Sequence, residues 1–171
     1  MASPPLHAPW RMQYIRSLDK SDDGRCFVCA AATAASDAQR RECLALWTTD
    51  HTVVIINRFP YTNGHLLVAP RAHKPELEEL TDPERLDLTT QTTEAVRLLK
   101  RAVSAQGFNV GINLGRCAGA GLPGHLHQHV VPRWAGDTNF MTVVADIRVV
   151  PQAMSQLYDE LLRVRGTDAT V

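Results

Sequence analysis

The sequence predicts an α+β domain in which an antiparallel sheet of about five strands packs with two main helices. Short apolar segments separated by Pro, Asn and Gly predict the strands, and two longer segments with helical periodicity predict the helices. The chain of 171 residues is long enough to bury one hydrophobic core. We divide it into an N-terminal arm, residues 1–24, and a single domain, residues 25–171.

The domain opens on a C-x-x-C pair, Cys26 and Cys29, among four cysteines in the chain. In an intracellular protein such a pair favours metal binding or redox chemistry over a disulfide framework, although two ligands make only half a zinc site. Residues 30–41 predict a short helix or a loop, and residues 43–47 predict a short edge strand. The other two cysteines are expected to be plain thiols: Cys43 and Cys117.

Two apolar segments then predict a hairpin. They are Thr52–Asn57, with the sequence TVVIIN, and His65–Ala69, with the sequence HLLVA. The wide loop between them contains the turn residues Pro60, Asn63 and Gly64. The hairpin is therefore expected to bring the polar strand ends, Asn57 and His65, close together.

Capping signals and apolar stripes predict the two main helices. Thr81-Asp82-Pro83-Glu84 has the capping-box pattern and is expected to begin a helix that runs to about Gln106 and stops at Gly107. Its predicted buried stripe is Leu88, Ala95, Val96, Leu99, Ala102 and Val103. Pro151 is expected to open a last helix that ends near Arg165. The inward residues predicted there are Met154, Leu157, Tyr158, Leu161 and Leu162.

Three strands complete the predicted sheet, and they cover residues 108–114, 125–132 and 141–150. The first ends at Asn113 and leads into a glycine run with Gly115, Gly119, Gly121 and Gly124. Such a run can bring backbone N–H groups close to a ligand, which is typical of loops that bind phosphate.

Three histidines alternate on the second of these strands: His125, His127 and His129. Because neighbouring side chains on a strand point to opposite faces, all three are expected on one face. In a core role, each ring nitrogen would need a hydrogen-bond partner. The histidines can instead be metal ligands, or one imidazole can attack phosphorus and form a covalent phosphoramidate. The neighbouring glycine run favours the last interpretation.

Charge and hydropathy argue against several classes of function. Eighteen basic residues balance eighteen acidic ones, so no overall field attracts nucleic acid or an anionic membrane, and phosphate binding must be local. No run of about 18 apolar residues predicts a membrane span, and residues 1–21 lack the pattern of a secretory signal. We therefore expect a soluble, cytoplasmic protein.

Two segments resemble the histidine triad (HIT) family of nucleotidyl hydrolases and transferases. HLHQHVV at His125–Val131 is similar to the family's alternating histidines, and NRFPYTNGHLLVAP at Asn57–Pro70 is similar to its other hallmark segment. With NLG at 113–115 and PRWAGDTNF at 132–140, the likeness covers nearly the whole chain. The opening APWRMQYI and the CFVC pair most resemble the bacterial branch of diadenosine polyphosphate phosphorylases and hydrolases.

The resemblance implies a role for each histidine. His127 would attack the α-phosphorus of a nucleotide to give a nucleotidyl-histidine, while its second ring nitrogen donates to a backbone carbonyl. His129 would contact the α-phosphate and the leaving oxygen as an imidazolium. His65 would buttress the triad, of which His125 is the first member.

The resemblance also implies an adenine-nucleotide site. Asn57 is similar to the family's ribose-binding residue. Asn113 and the backbone N–H groups of the segment Gly119, Ala120 and Gly121 would hold phosphate oxygens. Trp134 would either stack on the adenine or simply pack against the core.

Two positions depart from the family pattern. Gln128 stands where the family usually has an apolar residue, and it is expected to affect the outer face of the strand rather than the chemistry. Ala120-Gly121 stands where phosphorylases of this type can carry Gly-Ser, which leaves phosphate or water as the acceptor.

In family members with a C-x-x-C pair, zinc is held by both cysteines, a later histidine and the first triad histidine. The matching residues here are Cys26, Cys29, His73 and His125. Four protein ligands imply a closed, structural site that would also orient the histidine strand. The alternative is a pair of reduced cysteines with His73 in solvent. The family further implies a homodimer or a larger homo-oligomer.

Other functions remain open at this point. Within the same family, AMP-amidate or adenylyl sulfate hydrolysis is the alternative activity. From the residues alone, the three histidines can also serve a metal-dependent hydrolase. A non-catalytic nucleotide-binding protein is the third alternative.

Overall fold

A computed structural model describes residues 26–137 and 152–167 of the chain. One antiparallel sheet contains the five strands β1 Ala45–Thr48, β2 Thr52–Ile56, β3 Leu66–Pro70, β4 Gly107–Ile112 and β5 Gln128–Arg133, in the order β1-β2-β3-β5-β4. The α-helices of this part of the chain are α1 Phe27–Thr33, α2 Asp37–Glu42, α3 Asp82–Ala102 and α4 Met154–Gly166. Short 3₁₀ turns cover Leu77–Glu79 and Arg116–Ala118. This architecture confirms the predicted α+β class.

Helices cover both faces of the sheet centre. The larger core cluster joins β2, β3 and β5 to α3 and α4, through residues such as Val54, Leu66, Val130, Leu99 and Leu161. The smaller cluster packs α1 on the other face, through Val28, Ala31, Val53, Ile55 and Ala69. Because both faces are covered, every residue of β2 and β3 is buried, which explains their continuous apolar sequences.

The predicted hairpin is confirmed, with Thr52 paired to Pro70 and Ile56 paired to Leu66. Gly64 closes its loop in the left-handed region, with φ of 80°. A Cβ atom at this position would lie 3.0 Å from Cδ2 of Leu99, so a larger residue would meet both backbone strain and a steric clash. The loop therefore reaches His65 in one fixed geometry.

Each main helix has one end close to its predicted position, namely the start of α3 and the end of α4 at Gly166. Thr81 and Glu84 form the predicted capping box of α3. The helix ends at Ala102, not near Gln106, because Ser104 adopts a left-handed conformation with φ of 51°, and Gly107 begins β4. Helix α4 begins at Met154, three residues after Pro151, which lies outside the described residues.

The histidine strand begins later than predicted. Its last pair with β3 is Val68 with Gln128, so β5 starts at Gln128 instead of at His125. Upstream of this pair, the amide of Leu126 donates to the carbonyl of Lys74 at 2.7 Å. His125 and His127 therefore lie on a segment that leaves the sheet ladder.

Some predictions fall on residues that the structure does not describe. The N-terminal arm, residues 1–24, and the strand predicted at 141–150 both lie outside the described residues. Within 26–137 and 152–167, no helix combines the length and the apolar character that crossing a lipid bilayer requires.

Candidate active site

The candidate site lies on the sheet face opposite α3. On β5, Val130 packs in the α3 cluster, and Nε2 of Gln128 donates to the hydroxyl of Thr92 on α3 at 3.0 Å. Side chains alternate along a strand, so His129 points to the other face. The ring of His127 lies on the same side, with its centroid 5.1 Å from that of His129.

His125 is fully buried, and its two ring nitrogens have different partners. Nε2 lies 2.7 Å from the carbonyl oxygen of Pro70, which can only accept, so Nε2 carries the proton. Nδ1 therefore presents a lone pair, and it lies 3.2 Å from Sγ of Cys26 and 3.5 Å from Sγ of Cys29. Burial lowers the pKa of His125, so the neutral ring is favoured.

Nδ1 of His127 lies 2.8 Å from the carbonyl oxygen of His125. This is the backbone contact that was predicted for the second ring nitrogen. The carbonyl assigns the proton to Nδ1, which leaves Nε2 with its lone pair. Burial lowers the pKa of His127, and the backbone hydrogen bond partly opposes that effect. Nε2 is thus unprotonated at neutral pH, as a nucleophile must be.

A chain of hydrogen bonds also assigns the proton of His129. The amide of Tyr61 donates to Nδ1 of His65 at 3.1 Å, so His65 carries its proton on Nε2. That Nε2 lies 2.9 Å from Nδ1 of His129 and donates to it. His129 then carries its own proton on Nε2, and this buried atom has no hydrogen-bond partner within the described residues. The site thus holds an N–H donor that is ready for a ligand oxygen.

The pKa values of His65 and His129 bear on the charge expected at His129. Burial lowers the pKa of His65 to about 3, and burial, with the neighbouring His127, lowers the pKa of His129 to about 4. His129 therefore donates as a neutral ring in the free protein, and the imidazolium expected during the reaction stays a prediction. We call His127, His129 and His65 the imidazole row, because successive ring centroids are 5.1 Å apart.

Cys26, Cys29, His73 and His125 form a Cys₂His₂ cluster whose ligand atoms all lie within 4.8 Å of one another. Nδ1 of His73 is 3.3 Å from Sγ of Cys29. Zinc–sulfur bonds of about 2.3 Å and zinc–nitrogen bonds of about 2.0 Å place neighbouring donors about 3.5 Å apart in a tetrahedron. The cluster therefore fits a closed metal site, and His73, although exposed, contacts Cys29 instead of standing apart from the cysteines.

The neutral form is favoured at two residues of the cluster, Cys29 and His125. Burial, with a contribution from neighbouring Cys26, raises the pKa of the Cys29 thiol to about 11 in the free protein. A bound cation would reverse this preference, because it stabilises the thiolate. The Pro70 carbonyl behind His125 is the kind of outer contact that fixes the orientation of a metal-bound imidazole.

The structure brings Asn57 to the imidazole row. Its Nδ2 lies 3.2 Å from Nδ1 of His65, and its Oδ1 accepts from the amide of Phe59 at 3.0 Å. The predicted proximity of Asn57 and His65 is confirmed. Asn57 already supports the loop and His65, so its ribose contact stays a prediction that depends on its remaining donor and acceptor capacity.

Hydrogen bonds within the glycine run already occupy two of its backbone amides. The amides of Gly119 and Ala120 donate to the carbonyls of Arg116 and Gly115 at 3.0 and 3.2 Å, which leaves the amide of Gly121 as the open donor of the predicted three. Gly119 has φ of 91°, a conformation that favours glycine, and its carbonyl accepts from Nδ2 of Asn113 at 3.5 Å. The phosphate contacts of Gly119 and Ala120 thus require the loop to open.

Two residues differ from their sequence-based interpretation. The indole N–H of Trp134 donates to the carbonyls of Val103 and Ser104 at 3.1 Å, and Trp134 follows His129 by five strand positions, roughly 16 Å. These contacts support the packing alternative, and stacking of Trp134 on the adenine stays a prediction. Gln128 faces α3 rather than an outer surface.

Sequence reasoning missed the roles of two residues in the hallmark segment. Tyr61 contributes its amide to His65, and its ring centroid lies 4.7 Å from that of His65 and 5.9 Å from that of His129. Pro70 contributes the carbonyl that orients His125. A contact made by the backbone leaves no side-chain signal in the sequence, so neither role could be predicted from these residues.

Comparisons with known proteins agree with this geometry. A HIT domain model matches residues 39–136. An AP-4-A phosphorylase of Mycobacterium tuberculosis is 38% identical over 151 residues, covering 87% of this chain and 77% of that protein. An asymmetrical bis(5'-nucleosyl)-tetraphosphatase of Schizosaccharomyces pombe is 34% identical over 91 residues, covering 53% of this chain and 50% of that protein.

Solved structures agree on the fold. A Zn-bound histidine triad family protein from Mycobacterium smegmatis superposes with a TM-score of 0.66 at 24% identity, covering 85% of this chain and 97% of that chain. At that identity the likeness is one of fold. The matched family model covers more than half of this chain, including the hallmark segment, the glycine run and all three alternating histidines.

Proposed function

The chain belongs to the histidine triad (HIT) family, and from this premise we propose that it cleaves diadenosine polyphosphates, such as diadenosine tetraphosphate, through a covalent nucleotidyl-His127. One observation carries the proposal. The lone pair on Nε2 of His127 lies on the ring next to His129, whose buried Nε2–H has no partner in the described part of the chain. A nucleophile and a hydrogen-bond donor side by side are what substitution at phosphorus requires.

In the first step, Nε2 of His127 attacks the α-phosphorus. The bond from phosphorus to the bridging oxygen breaks, and the leaving nucleotide departs with the electron pair. The Nε2–H of His129 donates a hydrogen bond to that oxygen as its charge develops. Substitution makes the His127 ring cationic, and the Nδ1–H bond to the His125 carbonyl stabilises this form.

In the second step, an acceptor oxygen attacks the same phosphorus, and the bond to Nε2 of His127 breaks. Orthophosphate as the acceptor turns the bound AMP group into ADP. Water as the acceptor gives AMP and releases one proton. Both routes return His127 to its starting state, with the proton still on Nδ1.

The imidazole row is neutral, so it cannot neutralise a polyphosphate by itself. We assign the anionic chain to Asn113, to the open amide of Gly121 and to Arg116, which is exposed in the same glycine run. Ile112 pairs with Gln128, so this run leaves the sheet directly beside His127. A guanidinium is well suited to phosphate because it offers several donors in one plane.

Diadenosine tetraphosphate is the proposed substrate because the M. tuberculosis relative is named an AP-4-A phosphorylase. Incubation with and without orthophosphate identifies the acceptor. ADP that forms only with phosphate indicates phosphorolysis, whereas AMP and ATP without phosphate indicate hydrolysis. Absence of turnover on this substrate under both conditions would contradict the proposed activity.

The covalent intermediate has its own test. Substrate labelled at the α-phosphorus should leave an alkali-stable, acid-labile label on protein that is quenched during turnover. The label should be absent in His127→Ala and His127→Asn. Label that persists in both variants would exclude His127 as the nucleophile.

We also propose that zinc is the ion of the Cys₂His₂ cluster. Two sulfurs and two imidazole nitrogens are a typical zinc donor set, and the distances support a tetrahedral ion. Zinc there would be structural, because no ligand position is left for water. Metal analysis of the purified protein should give one zinc per chain, and a chelator should lower the melting temperature.

The metal-dependent hydrolase is the weaker candidate. The metal-capable group found among the described residues includes His125 alone of the three alternating histidines. His127 and His129 each use Nδ1 for another contact. Turnover that a chelator abolishes, without any covalent label, would favour this alternative. A panel with AMP-amidates and adenylyl sulfate tests the alternative activities, and nucleotide binding without turnover would indicate a non-catalytic role.

Assembly as a homodimer is a proposal from the family. It is supported by β4, an edge strand of the sheet, on which Val110 is 47% exposed. An exposed edge strand can pair with a second copy and continue the sheet. Light scattering on the purified protein should give twice the chain mass. A monomer at all concentrations would contradict the proposal.

A further inference from the structure

Two aromatic residues are exposed in the loop between β2 and β3, where the ring of Tyr61 borders the imidazole row. Phe59 is 51% exposed and Tyr61 is 44% exposed. Their backbone is not loose, because the amide of Phe59 donates to Asn57 and the amide of Tyr61 donates to His65. Rigid, half-exposed aromatic side chains beside a buried polar site are suited to holding a flat ligand group.

The loop is also anchored on its far side. The hydroxyl of Thr62 donates to the carbonyl of Pro132 at 3.0 Å, and Nδ2 of Asn63 donates to Oε1 of Gln152 at 3.0 Å. Gly64 then turns the chain into β3 against Leu99. The loop is thus tied at both ends, and its aromatic residues keep their exposure without local unfolding.

The ring of Tyr61 continues the imidazole row outward. It is nearly parallel to the ring of His129, with an interplanar angle of 21° and a centroid distance of 5.9 Å. His129 contacts both rings, because its centroid is also 5.1 Å from that of His127. The donor that contacts the leaving oxygen in the proposed function therefore has the nucleophile on one neighbouring ring and an aromatic wall on another.

The ring of Tyr61 lies beside the donor that contacts the leaving oxygen, so it faces the leaving half of the substrate. In-line substitution places the leaving oxygen on the side of phosphorus away from the nucleophile. The atoms beyond that oxygen are those of the leaving nucleotide. In a dinucleoside polyphosphate the leaving nucleotide carries a second base, which a mononucleotide substrate lacks.

We propose that Tyr61, assisted by Phe59 of the same loop, stacks on the second nucleoside base of a dinucleoside polyphosphate and so selects this substrate class. The inference rests on the proposed function, because it requires His127 to attack and His129 to face the leaving group. Stacking is tolerant of base identity, so the wall selects for a second nucleoside rather than for one particular base.

The test compares two substrates with equal phosphate chains, diadenosine tetraphosphate and adenosine 5'-tetraphosphate. Loss of one base–aromatic stack weakens binding by about 5- to 150-fold. Tyr61→Ala should therefore raise KM for diadenosine tetraphosphate within that range, and change KM for adenosine 5'-tetraphosphate by less than about threefold. Tyr61→Phe, which keeps the ring, should behave like the unchanged protein, and Phe59→Ala should act in the same direction as Tyr61→Ala.

The matched control is Leu86→Ala, which removes a side chain that is 70% exposed on α3 and should change neither substrate. Equal losses on both substrates in Tyr61→Ala would overturn the proposal, since they would mean that Tyr61 only supports His129 or holds the transferred nucleotide. Unchanged kinetics on both substrates would overturn it as well. If the unchanged protein forms no His127 adduct with either substrate, the proposed function itself fails, which is a distinguishable result.

Discussion

The Cys₂His₂ cluster and the imidazole row meet on one short segment, yet the same side chain has different chemistry in each. In the cluster, the Pro70 carbonyl takes the Nε2–H of His125 and leaves Nδ1 facing two sulfurs. In the row, the carbonyl of His125 takes the Nδ1–H of His127 and leaves Nε2 as the basic atom. In each case one backbone carbonyl determines which ring nitrogen keeps its lone pair.

The third histidine extends the comparison. His129 has no carbonyl partner, and its Nδ1 accepts from His65 instead, so its Nε2 is a donor. In the proposed function, three residues of one type would thus provide a metal ligand, a nucleophile and a hydrogen-bond donor within five positions. What differs between them is the partner of the second ring nitrogen, and substitutions can probe each partner separately.

The largest expected effect comes from the nucleophile itself. His127→Ala should lower kcat on diadenosine tetraphosphate by about 10⁴-fold or more, as removal of a covalent nucleophile does in other enzymes. Steady-state kinetics measure this loss. His51→Ala is the control, because His51 is exposed in the turn between β1 and β2 and should leave kcat unchanged. A loss under tenfold in His127→Ala would contradict its assigned role.

Removing the hydrogen-bond donor His129 should lower kcat less than removing the nucleophile His127 does. His129→Ala should lower kcat by about 10²- to 10³-fold with a smaller change in KM, because its N–H contacts the leaving oxygen only as charge develops. A leaving group of lower pKa should recover much of the lost rate. Equal losses for good and poor leaving groups would show that His129 does not contact the leaving oxygen.

Damage to the cluster should act on the row only indirectly. Cys29→Ser should remove the bound zinc and lower kcat by about 10- to 100-fold through the orientation of His125. At free zinc about 100 times the dissociation constant, loss of the ion should lower the free energy of unfolding by about 3 kcal/mol. Metal analysis and chemical denaturation measure both effects. Cys117→Ser, at an exposed cysteine outside the cluster, is the control, and equal effects in the two variants would contradict the ligand set.

Lowering the pH should destabilise the folded protein through the imidazole row. The folded-state pKa is about 4 for His129 and about 3 for His65, whereas a histidine in the unfolded chain has a pKa of about 6.5. Between these values the unfolded state binds more protons, so the stabilisation is complete above about pH 6.5 and is lost as the pH falls towards 4. The urea midpoint should therefore be lower at pH 5 than at pH 7.5.

The carboxyl of Glu84 does not titrate between pH 7.5 and pH 5, because the ion pair with Lys74 lowers its pKa to about 2. Glu84 therefore does not contribute to the change in stability over this range. His129→Asn should show a smaller drop in urea midpoint over the same interval, since one of the rings with a lowered pKa is gone. An unchanged midpoint in the parent protein, or one that rises towards pH 5, would contradict the buried neutral pair.

The smallest effect is expected on the other face of the same strand. Gln128→Leu removes the hydrogen bond to Thr92 and replaces a half-buried amide with an apolar group, so the free energy of unfolding should change by no more than about 1 kcal/mol. The rate should change by less than about threefold, because the side chain points away from His127 and His129. A tenfold loss of kcat would show that the two faces of β5 are coupled.

Much of the fold could be predicted from side-chain patterns. The apolar runs of β2 and β3 and the Thr81–Glu84 capping box are local signals, and the structure contains both. The end of α3 was less predictable, because Gly107 is a strong stop signal and the chain turns earlier, at Ser104. The start of β5 depends on where its partner β3 ends, which the sequence of β5 does not encode.

The candidate site, like the fold, could be predicted only in part from the sequence. The alternation of His125, His127 and His129 indicated the chemistry, and the Cys₂His₂ cluster was expected from the family resemblance. The proton positions could not be read from sequence, because they depend on a carbonyl at Pro70 and an amide at Tyr61. Trp134 shows the converse case, in which a suggestive aromatic residue lies near the sequence motif and is bonded to the end of α3 instead.

The central claim is that the partner of one ring nitrogen assigns the proton of each of the three histidines, and NMR of the ring nitrogens tests it directly. Long-range ¹H–¹⁵N correlation spectra of ¹⁵N-histidine protein at pH 7.5 report the tautomer of each neutral ring. The account predicts the proton on Nε2 of His125, on Nδ1 of His127 and on Nε2 of His129. A proton on Nε2 of His127, or an imidazolium at either His127 or His129 in the free protein, would contradict it.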